Sequence, residues 1–218
     1  MQGTPPRLIV FASGSQDGGG SGFEKLVLAT ENGMLCSPIV AVVSNHQDGG
    51  VRKRADRFGI PFIHSPKGRT SEDYRRIVQE TRADFVALSG WLGQVEGLDP
   101  RTTFNIHPAL IPSPFCGKGF HGHHVHEAVI AAYRRGEITH TGVTMHFVTS
   151  EYDSEVGVFF RKKVRILPDD TPDSIAAKVN RAEHKWQAII TNHVVCGRIS
   201  WDGKSAKSIV APELHRLD

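Results

Sequence analysis

Leu8-Ile-Val-Phe-Ala12, then Ser13-Gly-Ser-Gln-Asp-Gly-Gly-Gly-Ser-Gly22, then Phe23-Glu-Lys-Leu-Val27: this passage decides the fold. The first run is compact and apolar, of the kind that fills a strand buried on both faces. The second carries Gly14, Gly18, Gly19, Gly20 and Gly22, and the third sets Phe23, Leu26 and Val27 at helical spacing. A helix is therefore expected to open near Phe23. Strand, glycine loop and helix in that order gather backbone N–H groups and a helix N-terminus around an anion such as a phosphate. Neither nucleotide fingerprint matches, because no Gly-Lys-Ser/Thr follows the loop and no acidic residue closes a clear second strand.

Working outward, the alternation continues. Ile39–Ser44, Pro61–Ile63 and Phe85–Ser89 read as strands, Gly50–Gly59 as a charged helix with a solvated face, and Ser71–Thr81 as a helix with Ser71 as its N-cap. Alternating strands and helices imply an α/β fold, a doubly wound and mostly parallel sheet that binds ligands beyond the carboxyl ends of its strands. Val125–Arg135 is an amphipathic helix. Thr141–Thr149, which contains His146, and Val156–Val164 are two strands with a short connection, so an antiparallel edge is expected. Asp170-Thr-Pro-Asp173 caps a long helix running toward Cys196. The expected organisation is one domain over residues 1–218, with an N-terminal tail at 1–7 and a C-terminal tail at 202–218.

Chemistry concentrates in Thr103-Phe-Asn-Ile-His-Pro-Ala-Leu-Ile-Pro112. It begins as an apolar strand and ends in prolines that forbid an immediate helix. Asn105 and His107 lie two residues apart, so on an extended chain their side chains share one side. An amide donor and a titratable imidazole facing one cavity suit acyl transfer, in which one group polarises a carbonyl and the other handles charge and protons. An Asn-x-His by itself also fits a strand end whose side chains satisfy loop backbone.

Composition excludes several classes. With 39% hydrophobic and 22% charged residues, the chain is expected to be soluble and globular. A formal charge of +3 with scattered Lys and Arg suggests neither nucleic-acid nor membrane binding, while small anionic substrates fit. Cys36, Cys116 and Cys196 lie far apart with no Cys-x-x-Cys pair, an odd and sparse count that argues against a disulfide framework and fits a reducing compartment; no signal core or membrane-length apolar run is present, so a cytoplasmic protein is expected. His121, His123, His124 and His126 crowd the start of the Val125–Arg135 helix, but they lack the i, i+4 pair with an acidic partner that a zincin uses; no metal is expected.

Asn105-Ile-His-Pro-Ala-Leu-Ile-Pro112 closely resembles the Asn-Ile-His-Pro-Ser-Leu-Leu-Pro signature of the folate-dependent formyltransferases, and the likeness runs in order from Leu8 to about Trp201. The resemblance implies a Rossmann-like formyltransferase fold, 10-formyltetrahydrofolate as co-substrate, and Asn105, His107 and Asp153 as catalytic residues. Asp153 is carried by His146-Phe-Val-Thr-Ser-Glu-Tyr-Asp153 and would pair with His107, raising its pKa. Gly20, Ser21 and Gly22 would hold a substrate phosphate, and Glu183, before His184, would meet the glycinamide portion. Leu92, Gly93, Gln94 and Val95, with Asn105, Thr149 and Asp153, would hold the folate. Trp91, in the same loop, reads as core packing.

The chain departs from the family in three places. Extra residues separate Ser13-Gly14 from Gly20-Ser21-Gly22, Gly93 stands where an Arg is usual, and Ser154-Glu155-Val156-Gly157 follows Asp153 in place of Gly-Pro. The implied reaction moves a formyl group to the amine of 5-phosphoribosylglycinamide, a step of de novo purine synthesis, by a monomer or homodimer acting on small molecules alone. The few residues before Leu8 and after Trp201 favour this acceptor over tRNA formylation and over formyltetrahydrofolate hydrolysis. A hydrolase, a sugar-nucleotide formyltransferase, and a non-catalytic phosphate- or folate-binding module stand as alternatives.

Overall fold

The computed structural model describes residues 4–66, 69–115 and 123–213, with His123 described in its backbone only. Seven strands form one sheet: β1 (Leu8–Phe11), β2 (Ile39–Ser44), β3 (Phe62–His64), β4 (Phe85–Ser89), β5 (Thr103–His107), β6 (His140–Phe147) and β7 (Val158–Arg165). Their order is β3-β2-β1-β4-β5-β6-β7. The first five in that order run parallel, and β6 and β7 add the antiparallel edge. The doubly wound reading and the edge both hold.

Alternation along each strand divides the core in two. Leu8, Val10, Phe104, Ile106, Met145 and Phe147 pack against α1 (Ser21–Glu31), α2 (Gly50–Phe58), α4 (His123–Arg134) and α5 (Pro172–Val195). Ile9, Phe11, Val86 and Leu88 face the other way, against Tyr74 and Ile77 of α3 (Ser71–Thr81). Asn105, His107 and His146 alternate with the first set and so turn toward this second face, which fewer helices cover.

Most element ends move by one or two residues, with β6 ending at Phe147 and β7 starting at Val158 after a 3-10 turn at Glu155–Gly157. Three further differences have a clear local cause. α1 opens at Ser21, two residues before Phe23, because Gly20 reaches the left-handed region (φ 78°) and turns the chain straight into the helix. The N-cap of α3 is Thr70, not Ser71, since Thr70 and Asp73 exchange side-chain-to-backbone hydrogen bonds in a capping box that Ser71 could not form with Tyr74. Residues 202–210 fold back rather than trail: Ser200 bridges Val210, and Trp201, stacked on Phe147, donates its indole N–H to the Ser205 carbonyl (2.8 Å).

Candidate active site

The glycine loop is closed by its own insertion. Gly14 and Gly19 pair in an antiparallel bridge, and Ser15–Gly18 form a tight turn in which Ser15 N–H donates to the Gly18 carbonyl. The bridge loops out the extra residues, so Ser13-Gly14 runs directly on to Gly19-Gly20-Ser21-Gly22. The turn rests on the N-terminus of α2, where Gly50 N–H donates to the Ser15 carbonyl. A Cβ on Gly50 would lie 2.5 Å from the Gly18 carbonyl oxygen, and one on Gly49 2.5 Å from that of Ser15. The charged helix expected to be only a solvated face thus supplies the seat for the insertion. Arg54 locks it, bonding Glu24 (2.7 Å) and the Gly19 carbonyl (2.8 Å). Burial would raise the Glu24 pKa, but Arg54 and Arg57 outweigh it and hold the carboxyl below its usual range.

Gly20 gives α1 no side-chain cap. The amides of Ser21, Gly22 and Phe23 have no intrahelical carbonyl to meet, so this end offers donors of the kind that suit an anion. Ser21 Oγ lies 3.1 Å from His184 Nε2 on α5, so the helix carrying Glu183 is fastened to the loop. Gly22 admits no side chain: its Cβ would sit 2.2 Å from Ser89 Oγ and 2.7 Å from Gln187 Oε1. Gly22→Ala is expected to lower the thermal midpoint through a loss of about 1–3 kcal/mol, checked by a melting curve.

Burial pushes the half-buried Glu183 carboxyl up to about 7, against an opposing hydrogen bond from Asn180. A raised carboxyl pKa means that the folded chain keeps a proton the unfolded chain has released. Stability is then lost as pH rises from about 4.5 toward about 7. Glu183→Gln is expected to be more stable than the parent above pH 7 by on the order of 2 kcal/mol, with the difference vanishing at low pH. Urea midpoints at two pH values decide it; a gap that does not change with pH contradicts the assignment.

At the end of β5, Asn105, His107 and Asp153 come together, with a fourth group that sequence reasoning did not single out. Asn105 is opposite His146 in the β5–β6 register, and its Nδ2 lies 3.2 Å from His146 Nε2. His146 Nδ1–H donates to the Phe147 carbonyl (3.1 Å), leaving Nε2 to accept from the Asn105 amide. The β6–β7 register shifts between Met145 and His146, a bulge of the kind that re-aims a side chain. His146 already stood within the predicted strand. Its partnership with Asn105 needs the pairing register, which strand periodicity does not contain.

Asp153 sits between two imidazoles. Its Oδ2 lies 3.6 Å from His107 Nδ1 and its Oδ1 3.5 Å from His146 Nε2, with its side chain 7% exposed. Its φ of 47° is left-handed, which aspartate tolerates better than most residues. His107 is 5% exposed and donates Nε2–H to the Phe115 carbonyl (3.2 Å). Burial lowers the His107 pKa; Asp153 and the Phe115 carbonyl raise it, and His146 lowers it. The net direction is downward. The expected rise through Asp153 is present as an influence but does not prevail, because desolvating an imidazolium outweighs one carboxylate at 3.6 Å.

A slot of about 40 Å³ lies beside this cluster, lined in part by Trp91, Gly93, Gln94, Val95, Asn105 and His146, with Thr149, Tyr152 and Asp153 opposite. It adjoins a groove of about 450 Å³ that shares Val95, Val148 and Thr149. Gly93, Gln94, Val95, Asn105, Thr149 and Asp153 therefore reach one cavity. Leu92 does not line it: this residue is 51% exposed, its N–H held by Ser13 Oγ (2.9 Å) and its carbonyl by the Tyr152 hydroxyl (3.3 Å). His107 lies behind the wall. The Tyr152 bond, with Gln94 Nε2–H donating to the Ser150 carbonyl, draws the two walls together. Drug-sized ligands need a few hundred Å³, so these walls must part to admit one. Trp91 both packs and lines, edge-on to Phe11 (5.4 Å) and against the slot. A Cβ on Gly93 would be 3.0 Å from the Trp91 indole nitrogen, so the indole occupies space that a glycine at 93 leaves.

Of the histidine-rich stretch, His121 and the His123 side chain fall outside the described residues. His124 faces Glu127 (3.1 Å), and His126 is buried. Among the described residues no cluster of metal-ligating side chains occurs.

A doubly wound sheet with an amide–imidazole–carboxylate cluster at its strand ends, and an uncapped helix N-terminus after β1, is an arrangement of α/β protein suited to group transfer. The formyl transferase family model matches residues 6–191. A chloroplastic phosphoribosylglycinamide formyltransferase of Arabidopsis thaliana is 33% identical over 89% of this chain and 67% of its own length. That of Vigna unguiculata is 34% identical over 89% and 62%. The chain thus spans about two thirds of these plant relatives. A solved glycinamide ribonucleotide transformylase from Symbiobacterium toebii superimposes with a TM-score of 0.78 at 26% identity, covering 93% of both chains. The chain belongs to the formyl transferase family.

Proposed function

We propose that the chain transfers a formyl group from 10-formyltetrahydrofolate to the amine of 5-phosphoribosylglycinamide. The observation that carries this reading is Asp153 held between His107 and His146 at the end of β5, with Asn105 on the wall of the slot. The amides of Ser21, Gly22 and Phe23 receive the substrate phosphate, and Glu183, on the helix tied to Ser21 through His184, faces the glycinamide. The slot's aromatic and aliphatic lining, with the Gln94 amide at its edge, suits a flat polar-edged ring such as a pterin once the walls part.

Asn105 has a second amide N–H beyond the one given to His146, and that N–H points the role toward the oxygen that becomes negative as the amine attacks the formyl carbon. His107 supplies the second donor. Its Nε2–H is held by the Phe115 carbonyl, an oxygen that stands in for the anionic one, so binding that displaces the Ser113–Phe115 turn releases this donor. Negative charge at that oxygen then favours the protonated imidazole, which Asp153 supports and from which a proton reaches the folate nitrogen. Asp153 takes the proton shed by the attacking amine, through water.

Absorbance-monitored transfer from 10-formyltetrahydrofolate to 5-phosphoribosylglycinamide tests the reading, and acceptor-dependent turnover is the expected result. Formate released without acceptor would make the chain a hydrolase, turnover only with an amino sugar nucleotide would move the acceptor, and folate binding without turnover would leave a binding module. Gly50→Ala is expected to raise KM for the phosphate-bearing substrate about tenfold with kcat little changed, since the added methyl displaces the Ser15–Gly18 turn beneath the anion site. An equal fall in kcat would place the loop in the chemical step instead.

A further inference from the structure

Cys36 and Cys196 are far apart in sequence, yet their sulfurs lie 2.7 Å from each other, and both residues are exposed. Each sits on backbone that is fixed independently of the other. Cys36, between α1 and β2, is flanked by Leu35 and Ser37, which are 1% and 0% exposed. Leu35 N–H bonds the Ala29 carbonyl (2.9 Å), and Ser37 Oγ donates to the Pro6 carbonyl. Cys196 is the C-cap of α5, its N–H on the Asn192 carbonyl, and it follows the buried pair Val194 and Val195. Asn192 joins the two sides: its Oδ1 accepts from Cys36 N–H (3.0 Å) and from the Cys196 thiol (3.5 Å). The sulfurs therefore meet without either segment having to move.

We propose that Cys36 and Cys196 form a reversible intramolecular disulfide that fastens the α1–β2 connection to the end of α5, with a low-molecular-weight disulfide as oxidant. One cysteine thiolate attacks a sulfur of the small disulfide, making a mixed disulfide and expelling one small thiolate. The other cysteine, as thiolate, attacks the protein sulfur of that mixed disulfide and expels the second. Two protein thiols thus lose two protons and two electrons, and the small disulfide becomes two thiols. Burial and the adjacent Cys36 sulfur push the Cys196 thiol up, with Arg198 opposing, so the exchange quickens as pH rises. Exposure leaves the finished bond open to reductant. The bond joins cysteines 160 positions apart in sequence, a loop long enough to restrict the unfolded chain strongly. Its two helices meet again at Ser21 and His184, but the proposal does not depend on the reaction assigned above.

The intact protein is incubated with oxidised and reduced glutathione in graded ratios at about pH 8.5, quenched in acid, alkylated and digested with trypsin without reduction. The expected product is tryptic peptide 26–52 linked to 186–198, formed within one chain. The thermal midpoint should rise by about 5 °C or more, and dithiothreitol should reverse both changes. Cys36→Ser and Cys196→Ser should each abolish the shift, and Cys116→Ser should keep it. Glutathionylated but unlinked peptides, a link through Cys116, a link between two chains, or no change across the series would each overturn the proposal.

Discussion

Asp153→Asn is expected to reduce kcat/KM for formyl transfer by about a thousandfold while leaving the fold intact. Asparagine matches aspartate in shape and also tolerates the left-handed backbone at φ 47°, so the change isolates the charge from the turn. Burial is the largest influence on His107 and lowers its pKa, while Asp153 is the first that opposes it. Without the carboxylate, the pKa of His107 falls further. The protonated form exists only below that pKa, so the alkaline limb of kcat/KM should move to lower pH as the rate falls. A pH–rate profile of parent and variant, with melting curves alongside, decides the matter. A limb that stays in place, or moves up, would remove Asp153 from the protonation of His107. The same depression of His107 makes the folded chain lose stability as pH drops through the range in which an unfolded histidine takes its proton, because the folded state resists taking it.

His107→Ala is the second large effect, with an expected loss in kcat of about a hundredfold to ten-thousandfold. The substitution removes the Nε2–H donor now held by the Phe115 carbonyl and takes the imidazole away from Asp153 Oδ2. It also opens a hole the size of an imidazole in a site only 5% exposed, so the midpoint should fall as well. Added imidazole, which can enter that hole and restore the donor, should recover part of the rate, an outcome that a purely structural role would not give. His146→Ala is the comparison. His146 accepts from Asn105 and orients it, so its loss should cost about tenfold, with the Asn105 amide free to turn. If His146→Ala proves the more damaging, the proton-handling imidazole is the one on the slot wall, and His107 is its support.

Much of this site was legible in the chain. Period-two alternation put Asn105 and His107 on one side of a strand, and the structure keeps them on the less covered face of β5. The strand–loop–helix start, the capped long helix and the antiparallel edge were readable because each rests on residues near one another in sequence. One local signal marks Thr70, and not the expected Ser71, as the N-cap of α3: Asp73 stands three residues after Thr70, the spacing of a capping box. What the chain by itself determined, then, is which residues each element buries and which end of each strand carries chemistry, since backbone geometry turns spacing directly into faces.

Tertiary structure alone decided four things. It set His146 opposite Asn105 through the β5–β6 register, folded the extra glycine-loop residues out through the Gly14–Gly19 bridge, drew Cys36 to Cys196, and turned the net shift of His107 downward. Register, bridge and sulfur contact each join residues whose distance in space is set by everything packed between them. The protonation of His107 is a balance between desolvation and charges contributed by several elements, and no single stretch of chain contains that sum.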